Sequence, residues 1–208
     1  MYKVVILILS LVCGVRVGKA VEALPETTVA SSFQLYQELG LRGEVNFPAF
    51  EQALKGFSRY ASGQDRLLVL IDYTKPSTEK RFYILDLLQK KLLLSTYVAH
   101  GDNYAVAFSN RPGSYQSSLG FFRTGDTYMG KNGYSLFLDG LEKGINDKAR
   151  ERAIVVHGAN YADPAVLKGQ QRLGRSLGCP ALPPDISKQV IDTIKGGVLL
   201  YIYGLNKA

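Results

Sequence analysis

The chain changes its spacing of apolar side chains twice along its length. Between residues 32 and 60 they recur at helical spacing: Phe33, Tyr36 and Leu39, then Phe50, Ala53, Leu54, Phe57 and Tyr60. Ser32 is placed to cap the first, short helix. Asn46 is placed to cap the second, with Pro48 in the first turn, where a missing N–H does no harm. Both stripes are expected to pack into a core. After Gly63 the pattern turns to short runs rich in Leu, Ile, Val and Tyr, at 66–73, 81–87 and 91–99. Further strands are expected at Phe121-Phe122, 134–138 and 153–156. Asp163-Pro164 opens a short helix through Lys168, and 184–194 forms a longer one with Ile186, Val190, Ile191 and Ile194 on one face. Residues 198–203 close the chain as a strand. This order predicts a mainly β or α+β fold with short helices and an N-terminal helical lead-in, not an alternating βαβ sheet.

The first twenty residues follow a different rule. A short basic start at Met1 to Lys3 precedes residues 4–13, apolar except for Ser10, and Gly18-Lys19-Ala20 sets small residues at −3 and −1 of a cleavage site. This is the pattern of a secretory signal peptide, with export to the periplasm or cell envelope as its consequence. The apolar stretch is too short to span a bilayer comfortably, so no transmembrane segment is expected after cleavage; a retained anchor is the alternative. Val12 is not the small residue that lipidation at Cys13 would require. The expected division is a signal peptide at 1–20, a lead-in with a short helix at 21–46 and one main domain at 47–208.

Composition narrows the field further. At 46% hydrophobic and 21% charged, the chain is an ordinary globular protein. Loss of Lys3, Arg16 and Lys19 with the leader lowers the net charge from +7 to +4, and no run of Lys and Arg exceeds two residues. Nucleic acid is therefore not an expected partner. A monomer is expected. One cysteine and two well-separated histidines supply no metal cluster of usual spacing, and no phosphate loop or dinucleotide fingerprint is present, so no metal and no cofactor is expected.

Two cysteines are present, and Cys13 leaves with the leader. The exported chain then keeps Cys179 alone, in a compartment where a lone thiol is a liability unless buried or used. Its setting, Gly174-Arg175-Ser176-Leu177-Gly178-Cys179-Pro180, is a turn and not an apolar run. A nucleophilic thiol needs a base. His100 and His157 each end an apolar run and precede a glycine, and His157 lies 22 positions before Cys179. Gly178 would let the backbone approach a substrate, and backbone N–H groups there could stabilise an oxyanion. Ser176 and Arg175 could orient the loop or hold a carboxylate.

The segments Val156-His157-Gly158-Ala159-Asn160 and Gly174-Arg175-Ser176-Leu177-Gly178-Cys179-Pro180-Ala181 resemble the catalytic signature of the murein L,D-transpeptidases. That family carries a histidine, a spacer and a Ser/Thr-His-Gly-Cys block; His157, Ser176, Gly178 and Cys179 match it. Leu177 stands where most members have histidine, and Pro180-Ala181 where many have a pair including arginine. The block resembles a divergent, YkuD-like branch, with likeness running from about Phe47 to Tyr203 through Ala99-His100-Gly101, Phe108-Ser109-Asn110 and Ser117-Ser118-Leu119-Gly120.

The resemblance implies an L,D-transpeptidase-like β-sandwich or barrel. It implies Cys179 as nucleophile and His157 as base, with Gly178 and Ser176 supporting the oxyanion. Arg175, Asn160, His100 and Ser118 become substrate-binding candidates. Peptidoglycan stem peptides would be the partners: an acyl-enzyme forms and passes to an amine, giving a 3–3 cross-link. A carbapenem would acylate the same thiol. Hydrolysis of wall peptides by the same machinery, as a carboxypeptidase or endopeptidase, is the alternative. A non-catalytic wall-binding protein that kept the fold is a further one.

Overall fold

A computed structural model describes residues 28–62, 65–101 and 107–205. The expected signal peptide and the start of the lead-in, residues 21–27, lie outside the described residues. Two helices come first, α1 (Val29–Glu38) and α2 (Phe47–Tyr60). The first starts earlier than expected: Thr28 caps it, in a reciprocal box with Ser31, while Ser32 is buried inside the helix and donates to Thr28 O at 2.9 Å. Asn46 does precede α2, but its side chain makes no cap bond and instead reaches buried Asp72 at 2.6 Å.

Eight strands follow: β1 (Leu67–Asp72), β2 (Phe82–Asp86), β3 (Lys91–Thr96), β4 (Gly120–Gly130), β5 (Gly133–Gly140), β6 (Val155–Gly158), β7 (Ala181–Leu182) and β8 (Leu199–Tyr203). A third helix, α3 (Pro184–Ile194), separates the last two. Together the strands make one mixed sheet in the order β3-β2-β1-β8-β4-β5-β6-β7. Its ends nearly meet. Past β3, Ala99 exchanges backbone bonds with Ala181 at 2.8 and 3.1 Å, and Ser176 N donates to His100 O at 2.9 Å. The result is a nearly closed barrel whose seam runs between 99–101 and 176–181.

β1 and β2 read as unbroken apolar runs because both faces are covered. Val69, Ile71, Phe82 and Ile84 join one core cluster with α3, β5 and β6. Leu68, Leu70, Tyr83 and Leu85 join another with α1 and α2. Phe50 and Phe57 anchor α2 there, and truncating either to Ala costs about 3–5 kcal/mol. β4 is far longer than the expected Phe121-Phe122. A bulge between Thr124 and Thr127 breaks its register, and its outer half is half-exposed, so no apolar alternation marks it.

Candidate active site

The seam gathers most of the candidate residues. Between Ser176 and Cys179 the chain makes a tight turn organised by one hydroxyl. Ser176 Oγ accepts from Gly178 N at 3.1 Å and donates to Cys179 O at 2.6 Å. Gly178 has φ +117, and a Cβ there would lie 2.9 Å from Gln116 O, so the turn requires glycine. The Gly178 N–H is therefore engaged by Ser176. Among the described residues the Cys179 N–H makes no hydrogen bond. Leu177, where a family histidine would stand, is 69% exposed beside the turn.

Cys179 itself is 8% exposed. Its thiol donates to Ala153 O at 3.7 Å and its sulfur accepts from Val155 N at 3.5 Å. Ala153 holds a positive φ of 52, which a non-glycine residue adopts at a cost of about 1–3 kcal/mol. Burial pushes the thiol pKa up; the Val155 N–H and the charge of Arg152 pull it back down.

β6 and β7 run parallel, with His157 opposite Ala181. That register places His157 diagonal to Cys179, two residues before its partner Ala181. No hydrogen bond joins the two side chains; His157 Nδ1 instead meets Gly158 O at 3.0 Å. A carbonyl can only accept, so Nδ1 carries the hydrogen and Nε2 keeps a free lone pair. Burial lowers the His157 pKa, so the ring is neutral at pH 7.

Across the seam, His100 repeats this geometry, with Nδ1 2.7 Å from Gly101 O. Its ring packs edge-on against Tyr73 at 5.5 Å. Burial, Arg81, Arg175 and Arg172 bring its pKa down to about 4, against the opposing Gly101 bond. Half-buried Arg175 thus lies near His100 in an electropositive corner. Ser117 Oγ stitches the seam, accepting from Gly101 N and donating to Gly178 O, both at 3.0 Å.

Two other candidates fall elsewhere. Asn160 is exposed at the start of a 3-10 turn, Asn160–Ala162. Ser118 is buried, and its hydroxyl donates to Ser109 O at 2.9 Å and accepts from Arg152 Nη1 at 2.6 Å. An open cleft of about 560 Å³, lined by Gln52, Lys55, Phe108, Glu142 and Tyr201 among others, contains neither Cys179 nor either histidine.

Three residues that no motif singled out also surround the thiol. Arg152 is the cation acting on Cys179. Tyr161 is half-buried, its pKa raised to about 12 by burial and by Cys179. Tyr73 is 8% exposed; burial raises its pKa, Arg81 and the nearby Ser117 hydroxyl oppose that, and among the described residues its own hydroxyl meets no partner in full hydrogen-bond geometry. Only a Tyr at the end of a strand run hinted at the last of these.

A family profile described as the L,D-transpeptidase catalytic domain matches residues 41–203. No curated protein matches the chain in sequence. Among solved structures, the chain is similar to an L,D-transpeptidase from Mycobacterium smegmatis at 14% identity and TM-score 0.42, over 67% of this chain and 59% of that one. It is similar to the helical cell shape determining protein of Campylobacter jejuni at 16% identity and TM-score 0.47, over 69% and 50%. It is also similar to an L,D-transpeptidase from Stackebrandtia nassauensis at 13% identity and TM-score 0.42, over 86% and 78%. The chain thus spans between half and three-fifths of the first two. The assignment rests on the profile alone.

Proposed function

The chain belongs to the L,D-transpeptidase catalytic domain family, and from that premise we propose that it is an exported murein L,D-transpeptidase with Cys179 as nucleophile and His157 as base. The observation that carries this reading is the His157 tautomer. With Nδ1–H tied to Gly158 O, the Nε2 lone pair is available, on the strand whose Val155 N–H already touches the sulfur.

In the proposed reaction His157 Nε2 takes the thiol proton and the thiolate attacks the carbonyl of the third residue of a stem tetrapeptide. The Cys179 N–H, without a partner among the described residues, is the backbone donor for the resulting oxyanion. His157 returns the proton to the departing amine of D-alanine, leaving a thioester. An amine from a neighbouring stem then attacks, His157 takes its proton, and the thiolate leaves. The corner holding Arg175, Arg172 and His100 suits the substrate carboxylate. Export is supported by the pattern over residues 1–20; N-terminal sequencing of envelope protein should begin at Val21.

Incubation with purified muropeptides, followed by mass analysis, tests the reaction. A 3–3 dimer with loss of D-alanine is the expected product, absent with Cys179→Ser. Tripeptides without dimers would make water the acceptor and the protein a hydrolase. If folded, reduced protein yields neither, the chemistry is wrong and a wall-binding role replaces it.

A further inference from the structure

Arg152 sits in the turn before β6, and the segment that faces the seam closes around its guanidinium. Nη1 donates to Ser109 O and Ser118 Oγ, both at 2.6 Å. Nη2 donates to Gln116 O at 2.6 Å and Ser114 Oγ at 3.2 Å. Both terminal nitrogens are thus fully occupied. The fork has no free pair of N–H groups with which to take a substrate carboxylate in bidentate fashion. None of the four acceptors is a carboxylate, so the positive charge is left unneutralised by them. That charge is delivered next to the nucleophile, since a Cβ on Gly178 would lie 3.3 Å from Nη2.

From this geometry we propose that Arg152 is a positioning residue: one guanidinium fixes the wall formed by residues 109–118 and supplies the fixed positive charge that stabilises the Cys179 thiolate. This rests on Cys179 as nucleophile. A buried thiolate is costly, and its neighbours are unequal to the task. Tyr73 and Tyr161 are phenols that stay protonated, each with its pKa raised by burial. His157 is neutral until it accepts the thiol proton, and His100 is held neutral by burial and its own cations. Among the described residues Arg152 alone acts on the sulfur as a standing charge, and the pairing is mutual, since Cys179 raises the Arg152 pKa against burial. An opposite charge within about 4–6 Å lowers an acid's pKa by about one unit or more.

The test is the pH profile of Cys179 alkylation by iodoacetamide on the folded full-length protein, followed by peptide-level mass mapping so that Cys13 does not count. Arg152→Gln should raise the alkylation midpoint by about one pH unit or more. Arg152→Lys keeps the charge and should hold the midpoint near wild type, while slowing acylation by a carbapenem because the four-bond clamp is gone. A wild-type midpoint in folded Arg152→Gln overturns the proposal. Should that variant not fold, Ser114→Ala with Ser118→Ala carries the test. It unhooks two acceptors and should shift the midpoint in the same direction by less; no shift overturns the proposal. The readout needs no wall substrate. Failure on muropeptides with the Arg152 shift intact would sink the transpeptidase reading and leave this one standing, and the reverse result would do the opposite.

Discussion

At His100-Gly101 and at His157-Gly158, a strand-like run ends in an imidazole whose Nδ1 bonds the carbonyl of the following glycine, at 2.7 and 3.0 Å. Both glycines are packed too tightly for a side chain. Local structure therefore fixes the same tautomer in both rings and leaves Nε2 open in each. The surroundings separate them. Burial, with Arg81, Arg175 and Arg172, holds His100 at about pKa 4. No cation contributes to the lowering of His157, where burial alone opposes the charge. A base must hold a proton in passing, which burial and cations together oppose at His100 and burial alone opposes at His157. Residue type and local geometry nominate both histidines; the difference in field is what favours His157 in the proposed role.

The sharpest way to break this comparison is to remove each ring. His157→Gln should slow acylation of Cys179 by a carbapenem by about 10³-fold, the range of a lost general base. His100→Gln should slow it by less than about tenfold. Adduct formation timed by intact-mass spectrometry measures both. If His100→Gln is the dead variant and His157→Gln reacts normally, the roles are reversed.

The glycines give the next largest effect. A Cβ at Gly101 would meet backbone: Tyr115 O at 2.5 Å and Gly178 Cα and Ser117 N at 2.8 Å. At Gly158 the nearest atoms are Ser187 Oγ at 2.5 Å, which can rotate away, and Ser187 Cβ at 2.9 Å, which can yield only by a small shift of α3. Gly101→Ala should thus sit at or above the top of the roughly 1–3 kcal/mol range for overpacking, and Gly158→Ala within it. Urea melts of the two variants rank them, and equal midpoints would show that the seam yields as easily as a side chain does.

The comparison also has a pH signature. The unfolded chain protonates His100 near 6.5, whereas the folded one waits until about 4. Protons therefore favour the unfolded state between those values, and stability falls as pH drops through that window, by at most about 1.4 kcal/mol per unit from this group. His100→Asn should flatten that part of the stability profile. His157→Asn should flatten it less, because fewer forces depress that ring. Urea midpoints at pH 7, 6, 5 and 4.5 decide the order.

Much of this architecture is legible along the chain, for reasons that also explain the gaps. The second and third helices carry clean apolar stripes, and α3 spans the expected 184–194. The turn around Cys179 reads from Ser176-Leu177-Gly178-Cys179, because the side chain of Ser176 and the freedom of Gly178 act within three residues. β7 has two residues and is defined by pairing with β6 and the bridge to Ala99, so no local pattern can announce it. Arg152 lies in a polar turn, where a charge aimed at the seam looks the same in sequence as one aimed at water. Its partners at 109–118 are more than thirty positions away.

The smallest effect tests the wall of the His100 corner. The Tyr73 ring contacts His100 edge-on, stacks on Phe108 at 6.0 Å and lies under Arg81 at 5.0 Å. These contacts belong to the ring and survive in Tyr73→Phe. Among the described residues the buried hydroxyl meets no partner in full hydrogen-bond geometry; Ser117, near enough to lower its pKa, already serves Gly101 and Gly178. A buried, unmatched hydroxyl costs about 1–3 kcal/mol of desolvation that no bond offsets. Tyr73→Phe should therefore leave stability unchanged or raise it by up to about 1 kcal/mol, against the usual loss for a core substitution. The same variant reports on function, since evolution tolerates such a group where the site uses it. A gain in urea midpoint with slower carbapenem acylation would assign the hydroxyl to the reaction. A gain with unchanged acylation would make it a packing defect of the His100 corner. A loss of more than about 1 kcal/mol would mean that the hydroxyl is bonded after all, and would remove it from the wall's list of idle donors.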